Sequence, residues 1–189
     1  MTALTWLGVP GDESAWTALG FVVDGGGIDI GRVRCAIGDN GWGFDDLHSD
    51  PAILGLRTVT HPAAVPVTHP CGVSAVDHVV FTARELDSSI EALNAVLGVE
   101  PRKRSHPRGP RGPEMAFYRV GEAFIEVVAT GGEPALIGLA LKSPDLDATV
   151  SHIRSFGGPI SDPRPAVQGG RIASVWSGHL NWGLAIMGP

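Results

Sequence analysis

The spacing of apolar and polar side chains divides the chain from residue 75 onward into strands and a helix. Residues 75–83, AVDHVVFTA, carry the β-branched and aromatic side chains that suit a strand. In the segment that follows, apolar side chains recur at the spacing of one helix face, at Leu86, Ile90, Leu93 and Leu97. Two more strands are predicted after this helix, at 114–121 and 122–130.

The same order of elements recurs 60 residues later, because the helix starts ELD at Glu85 and DLD at Asp145 are that far apart. A strand at 135–143 precedes a second helix, and strands at 171–178 and 181–188 follow it. A repeat of this length indicates a duplicated structural unit. The sequence therefore predicts an α+β protein with paired βαβββ modules at 75–130 and 135–189.

Polar residues near the helix starts predict how each helix is capped. In the first helix, Ser88 and Glu91 have the spacing of a capping box, in which each side chain bonds the backbone of the other residue. In the second helix, Asp147 is the expected N-cap residue.

The part of the chain before residue 75 is less regular. The proline-rich stretch 61–74, HPAAVPVTHPCGVS, is expected to be a linker, since each proline favours an extended backbone before it. Residues 1–60 contain a possible strand, a short helix and further strands, which predicts a degenerate third module. The alternative is an irregular N-terminal extension that packs on the rest of the chain.

Composition narrows the class of protein. The chain has 189 residues, 43% of them hydrophobic and 18% charged, which is enough apolar material for a core. The net charge of −6 argues against nucleic acid or an anionic membrane as a partner. Cys35 and Cys71 have no metal-binding or redox spacing, and no segment has the pattern of a signal peptide or membrane span. These features predict a reduced, cytoplasmic protein.

The paired pattern resembles the vicinal oxygen chelate superfamily, which includes glyoxalase I, extradiol dioxygenases and the fosfomycin and bleomycin resistance proteins. The resemblance rests on VDHVVFTARELDSSIEALNAVLG, FYRVGEAFIEVV and LALKSPDLDATVSHIRSFG. It implies two modules whose curved sheet encloses a cleft for a small organic molecule. It also implies divalent metal ligands on the first and last strands of each module, with Fe, Mn, Zn or Ni as the candidate metals.

His78 and Glu126 match the ligands of the first module in this resemblance. Strand alternation gives a separate reason to pair them, since His78 is expected to share a face with Val76 and Val80, and Glu126 with Phe124. A carboxylate inside an apolar strand is costly unless it has a partner. We therefore expect His78 and Glu126 to face one cleft, with Glu126 as the candidate catalytic base.

The second module lacks matching ligands. Gly138 stands where His78 would recur, and Leu184 or Ile186 stands where Glu126 would recur. His179 is the candidate for a third ligand, provided that its loop folds over the cleft. Two protein ligands make a weak site, since Zn and Fe normally take three or more. A tightly bound catalytic metal is therefore not expected.

The basic segment 102–113, RKRSHPRGPRGP, predicts either a lid that binds an anion or a solvated loop. In the lid reading, which also predicts a mobile segment, the candidate contacts are Arg102, Arg104, Arg108 and Arg111, with Arg104 and Arg108 the two to test, because guanidinium groups suit carboxylates and phosphates. Trp176 and Trp182 are expected to pack against other side chains. The alternative is that one of them lines the cleft.

Together these observations predict a protein that binds a small organic molecule, with an anionic ligand as one option, and they assign no reaction. One alternative is a metal-dependent lyase, isomerase or dioxygenase that uses His78 and Glu126. A second is an association module whose cleft is filled by side chains. An odd number of modules leaves one sheet without a partner, so a homodimer is also predicted.

Overall fold

Two β-sheets make up the protein in the computed structural model, which describes residues 2–167 and 169–189. The smaller sheet has five strands and comes from the first 60 residues. Its elements are β1 (Leu4–Val9), α1 (Glu13–Thr17), β2 (Gly27–Ile30), β3 (Val33–Ile37), β4 (Trp42–Phe44), a 3-10 helix (Pro51–Leu54) and β5 (Thr58–Thr60).

The larger sheet has eight strands and contains both predicted modules. The elements of the first module are β6 (Ala75–Ala83), α2 (Leu86–Leu97), β7 (Lys103–Ser105), β8 (Met115–Val120) and β9 (Ala123–Ala129). The elements of the second module are β10 (Ala135–Lys142), α3 (Leu146–Ser155), β11 (Arg164–Pro165), β12 (Arg171–Ser174), α4 (Ser177–Leu180) and β13 (Gly183–Gly188).

Both modules have the same strand order. In each module the first strand pairs in parallel with the last strand. The last strand pairs antiparallel with the third, and the third pairs antiparallel with the second. The full order is β11-β12-β13-β10-β6-β9-β8-β7, with β6 and β10 antiparallel at the centre. The predicted α+β fold of paired βαβββ modules is confirmed.

Both main helices begin earlier than their polar residues predicted. The N-cap of α3 is Asp145, whose side chain accepts the Ala148 N–H at 3.0 Å, and the N-cap of α2 is Glu85. The predicted N-cap at Asp147 and the capping box of Ser88 and Glu91 are therefore wrong.

Within residues 2–167 and 169–189, no helix is both long and apolar enough to cross a membrane.

The five-stranded sheet repeats several relations of the larger one. β1 is parallel to β3 and antiparallel to β4, and β4 is parallel to β5 across the 3-10 helix. In the larger sheet, β6 has the same relations to β9 and β10, and β10 is parallel to β13 across α3. This topology supports shortened modules in residues 1–60. The division of the chain into an N-terminal module at 1–60 and a linker at 61–74 stays a prediction.

One core joins the two sheets. Trp42 of β4 is fully buried, and its ring centroid lies 4.8 Å from that of Phe81 on β6. Hydrogen bonds also link the smaller sheet to α2, since the Thr2 hydroxyl donates to the Leu97 carbonyl at 2.7 Å. The N-terminal third therefore covers one face of the eight-stranded sheet, together with α2 and α3. The opposite face is left open.

The segment between the two sheets is fastened by a buried histidine. His69 is 2% exposed, its Nδ1 accepts the Val22 N–H at 3.2 Å, and its Nε2 bonds the Asp29 carbonyl at 3.0 Å. A carbonyl only accepts, so Nε2 carries the proton and Nδ1 has the lone pair that Val22 needs. Burial lowers the pKa of His69 below its ordinary value of 6.5, since desolvation disfavours the charged ring.

The lowered pKa predicts a loss of stability in mild acid. The folded protein holds the neutral ring, so the contribution of His69 is fully present above about pH 6.5 and declines as the pH falls below it. Replacing His69 with Gln should flatten the decline of the unfolding free energy between pH 8 and pH 5, measured by urea titration. The exposed His152→Gln control should keep the original slope. Equal slopes in both variants would contradict this role.

Candidate functional site

A β-bulge in β6 places two adjacent polar residues on the open face of the sheet. Ala140 of β10 pairs with His78, whereas the next residue, Leu141, pairs with Val76, so β6 has one extra residue at Asp77. Asp77 and His78 both line the open face, while Val76 is 2% exposed and lies in the core. The prediction that Val76 shares a face with His78 is therefore wrong, because the bulge changes the alternation.

His78 lies between two carboxylates at the floor of this face. Its Nδ1 is 2.7 Å from Asp77 Oδ2, and its Nε2 is 3.8 Å from Glu126 Oε1. Burial raises the pKa of Asp77, but the hydrogen bond and charge of His78, with Lys142 at 3.5 Å, outweigh it and hold the pKa below its ordinary value. Asp77 is thus an ionised acceptor, Nδ1 donates to it, and Nε2 is directed towards Glu126.

The three residues form the floor of a cleft of about 660 Å³. Its walls are mainly apolar and come from both modules. The apolar side chains that line it are Pro107, Met115, Phe117, Phe124, Pro165, Ala166, Val167, Ile172 and Met187. A cleft of this size and character is typical of small-molecule binding sites.

Four cations lie along the same cleft: Arg102, Lys103, Arg108 and Arg164. The first three come from the β7 side of the cleft, and Arg164 comes from β11 on the opposite side. Among the described residues, none of the four has a hydrogen bond or ion pair from its side chain. Most other Arg and Lys side chains are paired, for example Arg57 with Asp39 and Arg154 with Asp162, both at 2.6–2.7 Å. The cleft therefore collects positive charge that the fold does not neutralise.

Arg104 lies on the other side of β7 from the cleft. Alternation sends Lys103 towards the open face and Arg104 towards α2, where it bonds Asp87 at 2.8 Å and Glu114 at 2.9 Å. Of the four arginines in the lid hypothesis, Arg102 and Arg108 line the cleft, whereas Arg104 and Arg111 do not. The second module has a similar ion pair, since Arg171 bonds Asp147 of α3 at 2.7 Å.

Three further candidates also lie elsewhere. His179 Nε2 donates to the Ala15 carbonyl at 2.9 Å and so ties α4 to the N-terminal third. Trp182 donates to the Leu136 carbonyl at 3.0 Å and lines a separate depression beside the smaller sheet. Trp176 is 67% exposed and is not part of the cleft. The structure therefore brings together His78, Glu126 and Arg108 but none of these three.

The side chains at the cleft do not fit a divalent metal. Asp77 is directed to His78 Nδ1 and not towards Glu126. The groups that face a common point are therefore His78 Nε2 and the carboxylate of Glu126, which supply two metal ligands. Gly138, opposite Val80 at the centre of the sheet, offers no side chain, and Ile186 is fully buried. In residues 2–167 and 169–189, no group of three His, Cys, Asp or Glu is arranged to hold a metal. We therefore derive no step through a metal.

Several cleft residues were not found from the sequence. Strict alternation would place Asp77 on the opposite face from His78, and only the bulge brings the two to the same face. Lys103 lies in the basic segment that the sequence analysis singled out. Because side chains alternate along a strand, the bounds of β7 would have placed Lys103 and Arg104 on opposite faces. Arg164 has no neighbouring basic cluster in the sequence, so only the pairing of β11 with β12 places it at the cleft.

Comparison with known proteins identifies the fold. No family model matches the chain, and no curated protein matches it in sequence. The structure of methylmalonyl-CoA epimerase from Mycobacterium tuberculosis superposes with a TM-score of 0.53 at 22% identity, covering 62% of this chain and 89% of that one. A variant of the Streptomyces coelicolor enzyme in complex with 2-nitronate-propionyl-CoA gives 0.51 at 18% identity, covering 61% and 94%. Methylmalonyl-CoA epimerase is a vicinal oxygen chelate enzyme, so the chain has the fold that its sequence resembled.

Proposed function

We propose that this protein binds a small anionic organic molecule in the cleft between its two βαβββ modules. The observation that carries the proposal is the convergence of four cations on one cleft, with no acidic partner for them among the described residues. Cations held near one another repel, and a bound carboxylate or phosphate would relieve that repulsion. Arg102, Arg108 and Arg164 also have the planar fork that such groups prefer.

The apolar walls indicate that the ligand has a hydrocarbon or aromatic part. Phe117 and Met115 from β8 face Ile172 and Met187 from the second module across the cleft. A free inorganic anion would leave this apolar surface in water, whereas an organic anion would bury part of it. One structure with this fold holds 2-nitronate-propionyl-CoA, which combines phosphates with an organic acyl group. That combination supports the same class of ligand here.

The two alternatives receive less support. The metal-dependent lyase, isomerase or dioxygenase would use His78 and Glu126 as ligands, but the described residues supply no third one. The association module would have its cleft filled by side chains, whereas about 660 Å³ is open here. The predicted homodimer stays a prediction and does not enter the binding proposal.

A calorimetric titration tests the proposal with three probes that share a benzene ring. Phenyl phosphate and 4-methylbenzoate carry an anionic group, and benzyl alcohol is neutral. We expect saturable binding of the two anions and none of the alcohol at the same concentrations. Binding should weaken as salt is added, since the contacts are charged and exposed. Equal binding of all three probes, or binding of none, would contradict the proposal.

Neighbouring residues of β7 provide a matched pair of variants. Lys103→Gln should weaken phenyl phosphate binding several-fold, because it removes one cation from the cleft. Arg104→Gln removes the same charge from the opposite face, where Asp87 and Glu114 hold it, and should leave the affinity within about twofold. An equal loss in both variants would mean that net charge, and not the cleft, determines binding.

A further inference from the structure

The two modules are related by an approximate two-fold axis that passes between β6 and β10. These first strands lie side by side and antiparallel, and each module continues outward from them in the same strand order. The second strands, β7 and β11, are therefore the opposite edges of the sheet. Eight strands have seven spacings of about 4.8 Å, so ~34 Å of sheet separates the edges. Both edges line one cleft because the sheet curves around it.

Each edge brings positive charge into the cleft in the same local setting. On β7, Lys103 pairs with Phe117 of β8, and on β11, Arg164 pairs with Ile172 of β12. All four residues line the cleft. Directly paired residues point to the same face of a sheet, so each edge cation stands beside an apolar side chain one strand further in. The cleft therefore has two positive ends with apolar surface between them.

The floor between the two ends differs from them in charge. Its polar residues are Asp77, His78 and Glu126, and all three belong to the first module. An anionic group at the floor would meet acidic side chains, whereas at either edge it would meet cations. A ligand with a single anionic group can occupy one edge, and the cation of the other edge then has no anionic partner among the described residues.

From this arrangement we infer that the ligand is a small dianion, with one anionic group at each edge of the sheet and an apolar body between them. The inference rests on the proposed anion binding and adds the second anionic group and its position. Arg164 is the residue that holds the second group, because it is the second module's cation among the described residues of the cleft. A ligand held at both ends gains from the second contact without a second loss of translational freedom.

Matched pairs of acids test the inference by calorimetry at low salt. Each diacid is compared with the monoacid that has a methyl group in place of one carboxylate: succinate with butyrate, adipate with hexanoate, suberate with octanoate, and terephthalate with 4-methylbenzoate. The four pairs cover different separations between the anionic groups. In the pair whose length fits the cleft, we expect the diacid to bind at least ~5-fold more tightly.

The methyl group makes each comparison strict. A carboxylate in its place loses apolar burial, so without a second cation the diacid would gain at most the statistical factor of about two for its two ends. Hexane-1,6-diyl bisphosphate is compared with hexyl phosphate in the same way. A gain in this pair alone would assign phosphate and not carboxylate ends to the dianion.

Variants at Arg164 locate the second group. Arg164→Gln should bring the ratio of the two affinities down to about two, because the diacid loses a direct contact and the monoacid loses only part of the surrounding field. Arg164→Lys keeps the charge and should keep most of the ratio. The control is Arg154→Gln, which makes the same change in net charge. Arg154 bonds Asp162 away from the cleft, so the ratio should stay unchanged.

The outcomes separate this inference from the proposed function. If the monoacids bind and no diacid or bisphosphate gains more than about twofold, the cations of both edges hold one anion, the dianion inference is wrong, and anion binding stands. If no acid or phosphate of any pair binds, both are wrong. If Arg164→Gln and Arg154→Gln lower the ratio equally, net charge determines the gain and the second group has no defined site.

Discussion

Replacing Trp42 with alanine is expected to lower the free energy of unfolding by about 3–5 kcal/mol. Trp42 is fully buried, contacts Phe81 of the larger sheet, and packs edge to face on Phe44 at 5.4 Å. Its indole N–H also donates to the Thr58 hydroxyl at 2.7 Å. The substitution would leave a cavity at the junction of the two sheets and remove the N–H that the Thr58 hydroxyl accepts, while that hydroxyl keeps its own bond to the Leu56 carbonyl. Urea unfolding followed by circular dichroism measures the loss.

Trp176→Ala is the matched control, because Trp176 is 67% exposed. Its effect should stay within about 0.5 kcal/mol. A small effect at Trp42 would mean that the five-stranded sheet is not held to the larger sheet through this contact. The arrangement of the N-terminal third, which leaves the cleft face open, would then have to be revised.

The triple variant Arg102→Gln, Arg108→Gln, Arg164→Gln is expected to weaken phenyl phosphate binding by about 100-fold. Each exposed cation is worth roughly 1 kcal/mol to a bound anion after solvent screening, and 1.4 kcal/mol is about a tenfold change in affinity. Because the cations come from both modules, removing all three leaves the anion with Lys103 alone. Calorimetry at low salt measures the change.

A second triple variant, Arg32→Gln, Arg84→Gln, Arg154→Gln, makes the same change in net charge, from −6 to −9, with none of these residues at the cleft. It should weaken binding only a few-fold through the overall field of the protein. A comparable loss in both triple variants would show that the anion is attracted by net charge and has no defined site.

The sequence predicted the modules more accurately than the contents of the cleft. Periodicity and the 60-residue repeat located the strands and the two long helices, since both signals come from burial on one face. The cleft depends on finer features. A single extra residue, Asp77, reverses the alternation of β6 next to His78, and no local pattern marks a bulge.

The remaining differences arise from contacts distant in sequence. His179 was considered for the cleft because it is the only histidine after α3, yet it bonds Ala15, which is 164 residues away. Trp182 likewise packs beside the smaller sheet. Both positions follow from where the N-terminal third lies, and a weak N-terminal pattern could not predict that. His78, Glu126 and Arg108 were located because strand alternation and a basic loop are local signals.

The most direct test of the account is where phenyl phosphate binds. Amide signals of the labelled protein, recorded by nuclear magnetic resonance during a titration, report on each described strand separately. We predict the largest shifts at Lys103, Phe124 and Ile172, which line the cleft from both modules, with small shifts throughout the five-stranded sheet. Shifts centred on the depression around Arg57 and Trp182, or the absence of any saturable shift at the cleft, would contradict the central claim.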